Sequence, residues 1–337
     1  MNGVIEDSSS DGNLVFLISQ PRSGSTLLQR MLSRHPEIHS RSETWIMLRS
    51  LFGFDQAVTG TIAPYNARIE HQAMRDFVED LPGGKADYFR ACRRMYGELY
   101  RAALEKSGCA IFLDKTPRYY EIIPDLLKVF PEAKVILLFR NPLAVFRSVW
   151  RTFGAGQWSQ MQQFRRDLME APTKLVTARD KGGPQVFSLR YEDLVRRPSD
   201  SLDDLCEFLG LVKHTCMLDH GTDGLERWTL GDPQTIYERK GADPDHADRW
   251  VADLANPQFW RACSEYLDIL GSALTGRMGY DYESLRSQLH MARPGWWRRR
   301  MTVSLDCLME EETMRPDRNF GRRVKCELAS RAWGVDR

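Results

Sequence analysis

The run Leu14-Val15-Phe16-Leu17-Ile18, followed by Ser19-Gln20-Pro21-Arg22-Ser23-Gly24-Ser25-Thr26, constrains this chain more than any other segment. An unbroken apolar run of that length is the pattern of a strand buried on both faces. It ends in a Gly/Ser turn, after which Leu27, Leu28, Met31 and Leu32 recur at helical spacing. Strand, small-residue loop and helix N-terminus in that order make an anion site. The first helical N–H groups lack partners, and the helix dipole adds partial positive charge there. The spacing overlays G-x-x-x-x-G-K-[ST], with Ser19 in place of the first Gly and Ser25 in place of the Lys. The positive charge moves into the loop, to Arg22. That argues against an ordinary ATPase or kinase, in which the Lys holds the β- and γ-phosphates.

Further strand-like runs occur at Ala110–Leu113, Val135–Phe139 and Val186–Leu189, each preceded by a helical stretch. Short apolar strands alternating with helices imply an α/β fold: P-loop-like, three-layered, with a central parallel sheet. Helices are expected at 42–52, 66–78, 85–106, 118–129, 143–153, 158–180, 199–209 and 257–272. The segment 51–108 is too long for a simple crossover and reads as a helical insertion on the acceptor side of the site. Its aromatic residues, among them Phe52, Phe54, Tyr65, Phe89 and Tyr96, together with Trp45 before it, suit an apolar pocket or simply the core.

Charge and cysteine content narrow the function. With Lys+Arg 47 against Asp+Glu 46, the 337-residue chain has a formal net charge of +1, which gives no global case for nucleic acid. Seven scattered cysteines without a C-x-x-C pair read as reduced thiols, and no His/Asp cluster has metal-ligand spacing. No signal segment or transmembrane-length apolar run is present, so the expected location is the cytoplasm.

A second anion site follows the third run. Arg140 stands at the strand end, Asn141 suits an N-cap and Pro142 the first helical position, with Ser148 about two turns on. An Arg and a hydroxyl can hold a phosphate dianion by charge-assisted hydrogen bonds.

With these two sites in view, the chain resembles the sulfotransferases that use 3′-phosphoadenosine 5′-phosphosulfate (PAPS). That family carries P-[RK]-S-G-[ST]-[ST] on the 5′-phosphosulfate, here Pro21–Thr26. It carries R-[DN]-P with a Ser eight residues after the Arg on the 3′-phosphate, here Arg140-Asn141-Pro142 and Ser148. His35-Pro36-Glu37 with Ser42-Glu43-Thr44, then Asp114-Lys115-Thr116-Pro117, then Arg190-Tyr191-Glu192-Asp193-Leu194 resemble the bacterial and protein-tyrosine branches. The likeness spans roughly residues 13–212. Residues 1–12, polar with Ser8-Ser9-Ser10-Asp11-Gly12, read as a disordered N-terminus, 13–291 as the sulfotransferase domain, and 292–337, where the sequence changes character, as a C-terminal extension.

The resemblance assigns Arg22, Ser23, Gly24, Ser25, Thr26, Arg140, Ser148 and Tyr191 to the nucleotide, and Glu43, Lys115 and Arg22 to catalysis. The cytosolic branch has a His base in K-T-H, where this chain has Lys115-Thr116-Pro117, so the base role falls on Glu43, with His35 and His39 in reserve. Partial burial suits such a base, because it disfavours the charged carboxylate. Arg239-Lys240-Gly241 is similar to a loop that closes over the 3′-phosphate, although the residues after it depart from that pattern. The product would be 3′,5′-ADP, and the chemistry needs no metal to generate a nucleophile. The expected acceptor is a hydroxyl of a small molecule, carbohydrate or lipid. Trp158 and the basic 165–180 stretch would suit an anionic or carbohydrate one. The Trp296-Trp297 pair beside Arg298-Arg299-Arg300 fits weak membrane-surface contact or, preferably, a packed C-terminal helix. The alternatives are a P-loop nucleoside or small-molecule kinase and a catalytically silent nucleotide-binding module.

Overall fold

The computed structural model describes residues 11–41, 43–51, 67–153, 158–219, 243–293 and 305. Among them lie five parallel strands: β1 (Leu14–Ser19), β2 (Ile38–Arg41), β3 (Ile111–Lys115), β4 (Lys134–Phe139) and β5 (Val186–Arg190). They stand in the order β2-β3-β1-β4-β5. The helices are α1 (Ser25–Ser33), α2 (Leu48–Leu51), α3 (Ala67–Glu79), α4 (Lys85–Ser107), α5 (Ile123–Val129), α6 (Pro142–Thr152) and α7 (Ala171–Lys181). After β5 come α8 (Tyr191–Arg196), α9 (Pro198–Leu209), α10 (Asp245–Asp248), α11 (Trp250–Asp253), α12 (Pro257–Arg277) and α13 (Tyr282–Met291).

The strand period of two explains the three layers. Phe16, Ile18, Phe112, Val135 and Leu137 face one side, against Tyr96 and Tyr100 of α4, Leu126 of α5 and Leu175 of α7. Val15, Leu17, Leu113, Ile136 and Leu138 face the other, against α1, α8 and α9. Leu28, Met31 and Leu32 of α1 are fully buried there, at roughly 2 kcal/mol each, and this anchors the helix behind the Gly/Ser loop. A third cluster joins α6 to α12 and α13, with Phe146 stacked on Tyr266 and Trp150 on Phe259, ring centroids 4.9 Å apart in both.

The four expected strands are present, and β2 is a fifth that periodicity does not reveal. Its sequence Ile-His-Ser-Arg holds one apolar residue, and pairing with β3, from Ile38 beside Ile111 to Arg41 beside Asp114, makes it a strand. The expected helix at 42–52 is a correction: residues 43–47 form a loop and only Leu48–Leu51 are helical. The 118–129 helix divides into a 3₁₀ segment, Pro117–Glu121, and α5, with Pro124 removing an N–H near the junction.

The 158–180 helix is likewise broken, into 3₁₀ (Trp158–Phe164), π (Arg166–Glu170) and α7. Pro172 has no N–H for the Leu168 carbonyl, which accepts from Tyr266 Oη at 2.8 Å instead. The Asp167 carbonyl accepts from Gln20 Nε2 at 2.8 Å, and the Ala171 N–H reaches back to Arg166. The 257–272 helix runs on to Arg277 through a kink at Gly271.

The insertion supplies α3 and α4, and Phe89 and Tyr96 prove to be core residues. Phe52, Phe54, Tyr65, Arg239, Lys240 and Pro294–Arg300 lie outside the described residues. Of the C-terminal extension beyond Arg293, Leu305 is described; it is buried against the third cluster. No helix among the described residues is long and apolar enough to cross a membrane.

Candidate active site

All five strands are parallel, so their C-terminal ends share one edge, and the sheet places β1 between β3 and β4. The crevice beyond such an edge, where the chain order reverses, is where α/β folds bind ligands. Each strand end here delivers one of the motifs: the Arg22 loop after β1, Glu43 after β2, Lys115 on β3, Arg140 after β4 and Tyr191 after β5.

The loop after β1 is held in an unusual backbone shape. Arg22 has φ 72 and Gly24 φ 92, and both lie in the left-handed region. At Gly24 contact also excludes a side chain: a Cβ there would stand 2.3 Å from Cδ2 of Tyr191. Gly24 N-caps α1 without a side chain, leaving the first-turn N–H groups of Ser25 and Thr26 facing the loop. Ser23 is buried, and its Oγ has no hydrogen-bond partner among the described residues.

The two segments expected as anion sites adjoin. Arg22 Nε donates to Ser148 Oγ at 3.1 Å, and Arg140 Nη1 donates to the Arg22 carbonyl at 3.0 Å. Arg140 Nη2 holds the His246 carbonyl at 3.1 Å, while its buried Nε has no partner among the described residues. The guanidinium lies 4.2 Å from the centre of the Tyr191 ring, a cation–π contact. Burial pulls the Arg140 pKa below its usual value, opposed by Tyr191 and Glu192. Asn141 caps α6, accepting from the Leu143 N–H at 3.0 Å, and its own N–H donates to Glu192 Oε1 at 3.0 Å.

Lys115, fully buried, donates from Nζ to Glu43 Oε1 at 2.9 Å. The other carboxylate oxygen, Oε2, accepts from Trp45 Nε1 at 2.9 Å. Trp45 has φ 56, its side chain is exposed, and Arg118 lies 5.4 Å from its ring centre. Arg118 is itself gripped by Asp167, with N–O distances of 2.6 to 3.2 Å.

His35 is not available as a base. Its Nδ1 accepts from the Glu37 N–H at 3.2 Å and its Nε2 lies 3.0 Å from the Val212 carbonyl, so both ring nitrogens are engaged. His39 sits on the edge strand, packed edge-on against Phe112. The basic 165–180 stretch is neutralised locally, since Arg166 and Lys174 pair with Glu121 and Glu170, and Arg165 with Glu170. No group of three or more His, Cys, Asp or Glu residues that could hold a metal ion occurs among the described residues.

Asp114, Gln20 and Arg118 carry no role in the sequence reading, and Trp45, expected in an apolar pocket or the core, instead holds Glu43 from an exposed position. A signal existed for the first two: a polar side chain at the end of an otherwise apolar strand is buried with partners or not at all.

A sequence model of the sulfotransferase family matches residues 15–214. Nodulation protein NoeE of Sinorhizobium fredii is 27% identical over 289 residues, covering 80% of this chain and 66% of NoeE. Protein-tyrosine sulfotransferase 1 of Danio rerio is 25% identical over 218 residues, 62% of this chain and 56% of that protein. This chain thus spans about two thirds or less of these relatives. Among solved structures, the sulfotransferase domain from the curacin biosynthetic pathway shares the fold, with TM-score 0.50 at 22% identity, covering 79% of this chain and 97% of that domain.

Proposed function

This chain belongs to the sulfotransferase family, and from that premise we propose that it moves a sulfo group from PAPS to a hydroxyl of a small-molecule, carbohydrate or lipid acceptor. The observation that carries the reading is the cradle at the strand ends. The α1 N-terminus, a buried Ser23 Oγ unpartnered among the described residues, and Arg140, bonded to the Arg22 carbonyl, frame a glycine that tolerates no side chain. Such a donor set fits the phosphate and sulfate groups of PAPS.

In this reading Arg22, the Ser23 hydroxyl and the N–H groups of Gly24, Ser25 and Thr26 hold the 5′-phosphosulfate, the Ser23 N–H being spent on the Gln20 carbonyl at 3.2 Å. Arg140 and Ser148 hold the 3′-phosphate, and Tyr191 flanks the adenosine. PAPS supplies, when bound, a sulfo group that is already activated. Lys115 and Arg22 direct fixed positive charge at the oxygen where negative charge gathers. Burial keeps Lys115 from reorganising as it does so. Glu43 accepts the acceptor's hydroxyl proton on its carboxylate, while Lys115 on Oε1 orients it. Several relatives are named for tyrosine, itself a hydroxyl acceptor, which supports oxygen as the atom sulfated.

The test is calorimetric titration with 3′,5′-ADP, without added metal and with ATP as comparator. The reading requires 3′,5′-ADP to bind more tightly than ATP and Arg140→Ala to lose most of that affinity. Absence of 3′,5′-ADP binding, with ATP binding on addition of Mg²⁺, overturns it in favour of a kinase.

A further inference from the structure

Asp114 is buried at the end of β3, one residue before Lys115, and nothing in the proposed chemistry uses it. Three hydroxyls meet its carboxylate. Thr44 Oγ1 and Tyr100 Oη each lie 2.6 Å from Oδ2, and Thr116 Oγ1 lies 2.8 Å from Oδ1. These contacts fix the direction of every proton around them. Thr44 Oγ1 gives its one proton to Asp114, so its 3.1 Å contact with Tyr119 Oη runs from Tyr119 to Thr44. The Met47 N–H in turn donates to Tyr119 Oη at 3.3 Å. On the other oxygen, the Thr44 N–H donates to Thr116 Oγ1 at 3.2 Å, and Thr116 donates to Asp114. Both chains thus run inward and end on the carboxylate oxygens, which accept. Burial raises the Asp114 pKa, and the hydrogen bonds from Thr44, Tyr100 and Thr116 oppose that rise.

Both chains begin on the loop between β2 and α2, at the main-chain N–H groups of Thr44 and Met47. That loop carries Glu43. Successive residues of a strand point to opposite faces, so Asp114 and Lys115 cannot serve the same partner. Two neighbours in the loop instead meet two neighbours in the strand: Glu43 meets Lys115, and Thr44 meets Asp114.

We propose that Asp114 is a positioning residue: through Thr44, Thr116 and Tyr119 it fixes the loop so that the Glu43 carboxylate stays against Lys115. The inference rests on the reading of Glu43 and Lys115 as the reacting pair. It adds a role to the Asp and the Thr of Asp114-Lys115-Thr116-Pro117.

The test uses the full chain labelled with fluorotryptophan and observed by fluorine NMR. Trp45 reports on Glu43 through its 2.9 Å bond to Oε2, and Trp45→Phe assigns its resonance. Thr44→Val keeps the side-chain size and deletes the hydroxyl, Thr44→Ser keeps the hydroxyl, and Asp114→Asn replaces an accepting oxygen by a donor. The expected result is a Trp45 resonance displaced in Thr44→Val and Asp114→Asn, at its wild-type position in Thr44→Ser, with the other eight tryptophans unmoved. Affinity for 3′,5′-ADP should stay within about twofold of wild type in Thr44→Val, as for sites that share no partners.

A merely structural role would instead move many resonances and weaken nucleotide binding along with them. An undisplaced Trp45 resonance in Thr44→Val, or equal displacement in Thr44→Ser, overturns the proposal. Should Asp114→Asn fail to fold, the Thr44 pair decides alone. If wild-type protein does not bind 3′,5′-ADP, the sulfotransferase reading fails, while the Trp45 result still reports on the positioning.

Discussion

Gly24→Ala tests the geometry of the cradle with one methyl group. Gly24 has φ 92 and ψ 16, a conformation that costs an L-residue about 1–2 kcal/mol. The added Cβ would also stand 2.3 Å from Tyr191 Cδ2 and 2.5 Å from Cε2. Tyr191 has little room to recede, because its buried ring supports the Arg140 guanidinium at 4.2 Å. Overpacking at such a contact adds about 1–3 kcal/mol. The loop therefore loses about 2–5 kcal/mol of preference for its native shape. At about 1.4 kcal/mol per factor of ten, that weakens 3′,5′-ADP binding by about thirtyfold to a few thousandfold. Calorimetric Kd values for wild type and variant, with thermal unfolding in parallel, give the measurement. An affinity within twofold of wild type at unchanged Tm would refute the reasoning, because the tyrosine would then have moved aside without cost.

Lys115→Ala removes a buried donor facing Glu43 and should lower kcat by roughly two orders of magnitude. Initial rates of transfer from labelled PAPS measure it, and an unchanged kcat would exclude Lys115 from the chemistry. Asn141→Ala removes the cap on the Leu143 N–H and should cost about 1 kcal/mol, seen as a fall in Tm of a few degrees. A Tm equal to wild type would mean that another group takes over the cap. Hydrogen bonding from Arg190, then from Arg197, holds the Asp193 carboxyl below the usual carboxylate range. Its contribution to stability is therefore present above the unfolded carboxylate pKa, about 4, and is lost as pH falls through its lower folded value. Urea unfolding of Asp193→Asn should show a deficit near neutral pH that closes on acidification. A deficit that does not change with pH contradicts this account.

The sequence supports some readings far better than others, and the reason is range. The β1 run, the Ser23-Gly24 turn, the Asn141-Pro142 cap and the strand at 135–139 are local patterns, and each takes its predicted form. The π segment at Arg166–Glu170 is not local. Pro172 announces a break, but Gln20 and Tyr266, distant in the chain, supply the hydrogen bonds that give the break its shape. In the same way, β2 is a strand because β3 lies beside it, and His35 loses its candidacy to a carbonyl 177 residues away.

Motif by motif, the chain itself determined the candidate site's inventory: an arginine-bearing loop before a helix, a second Arg with a capped helix, a Lys at a strand end and a Glu after the edge strand. Only the tertiary structure decided the pairings, Arg22 with Ser148, Arg140 with Tyr191 and Glu43 with Lys115. Those depend on a strand order, β2-β3-β1-β4-β5, that differs from the order in the chain. Strand order, like the burial of both faces of each central strand, belongs to the whole sheet rather than to any window of sequence.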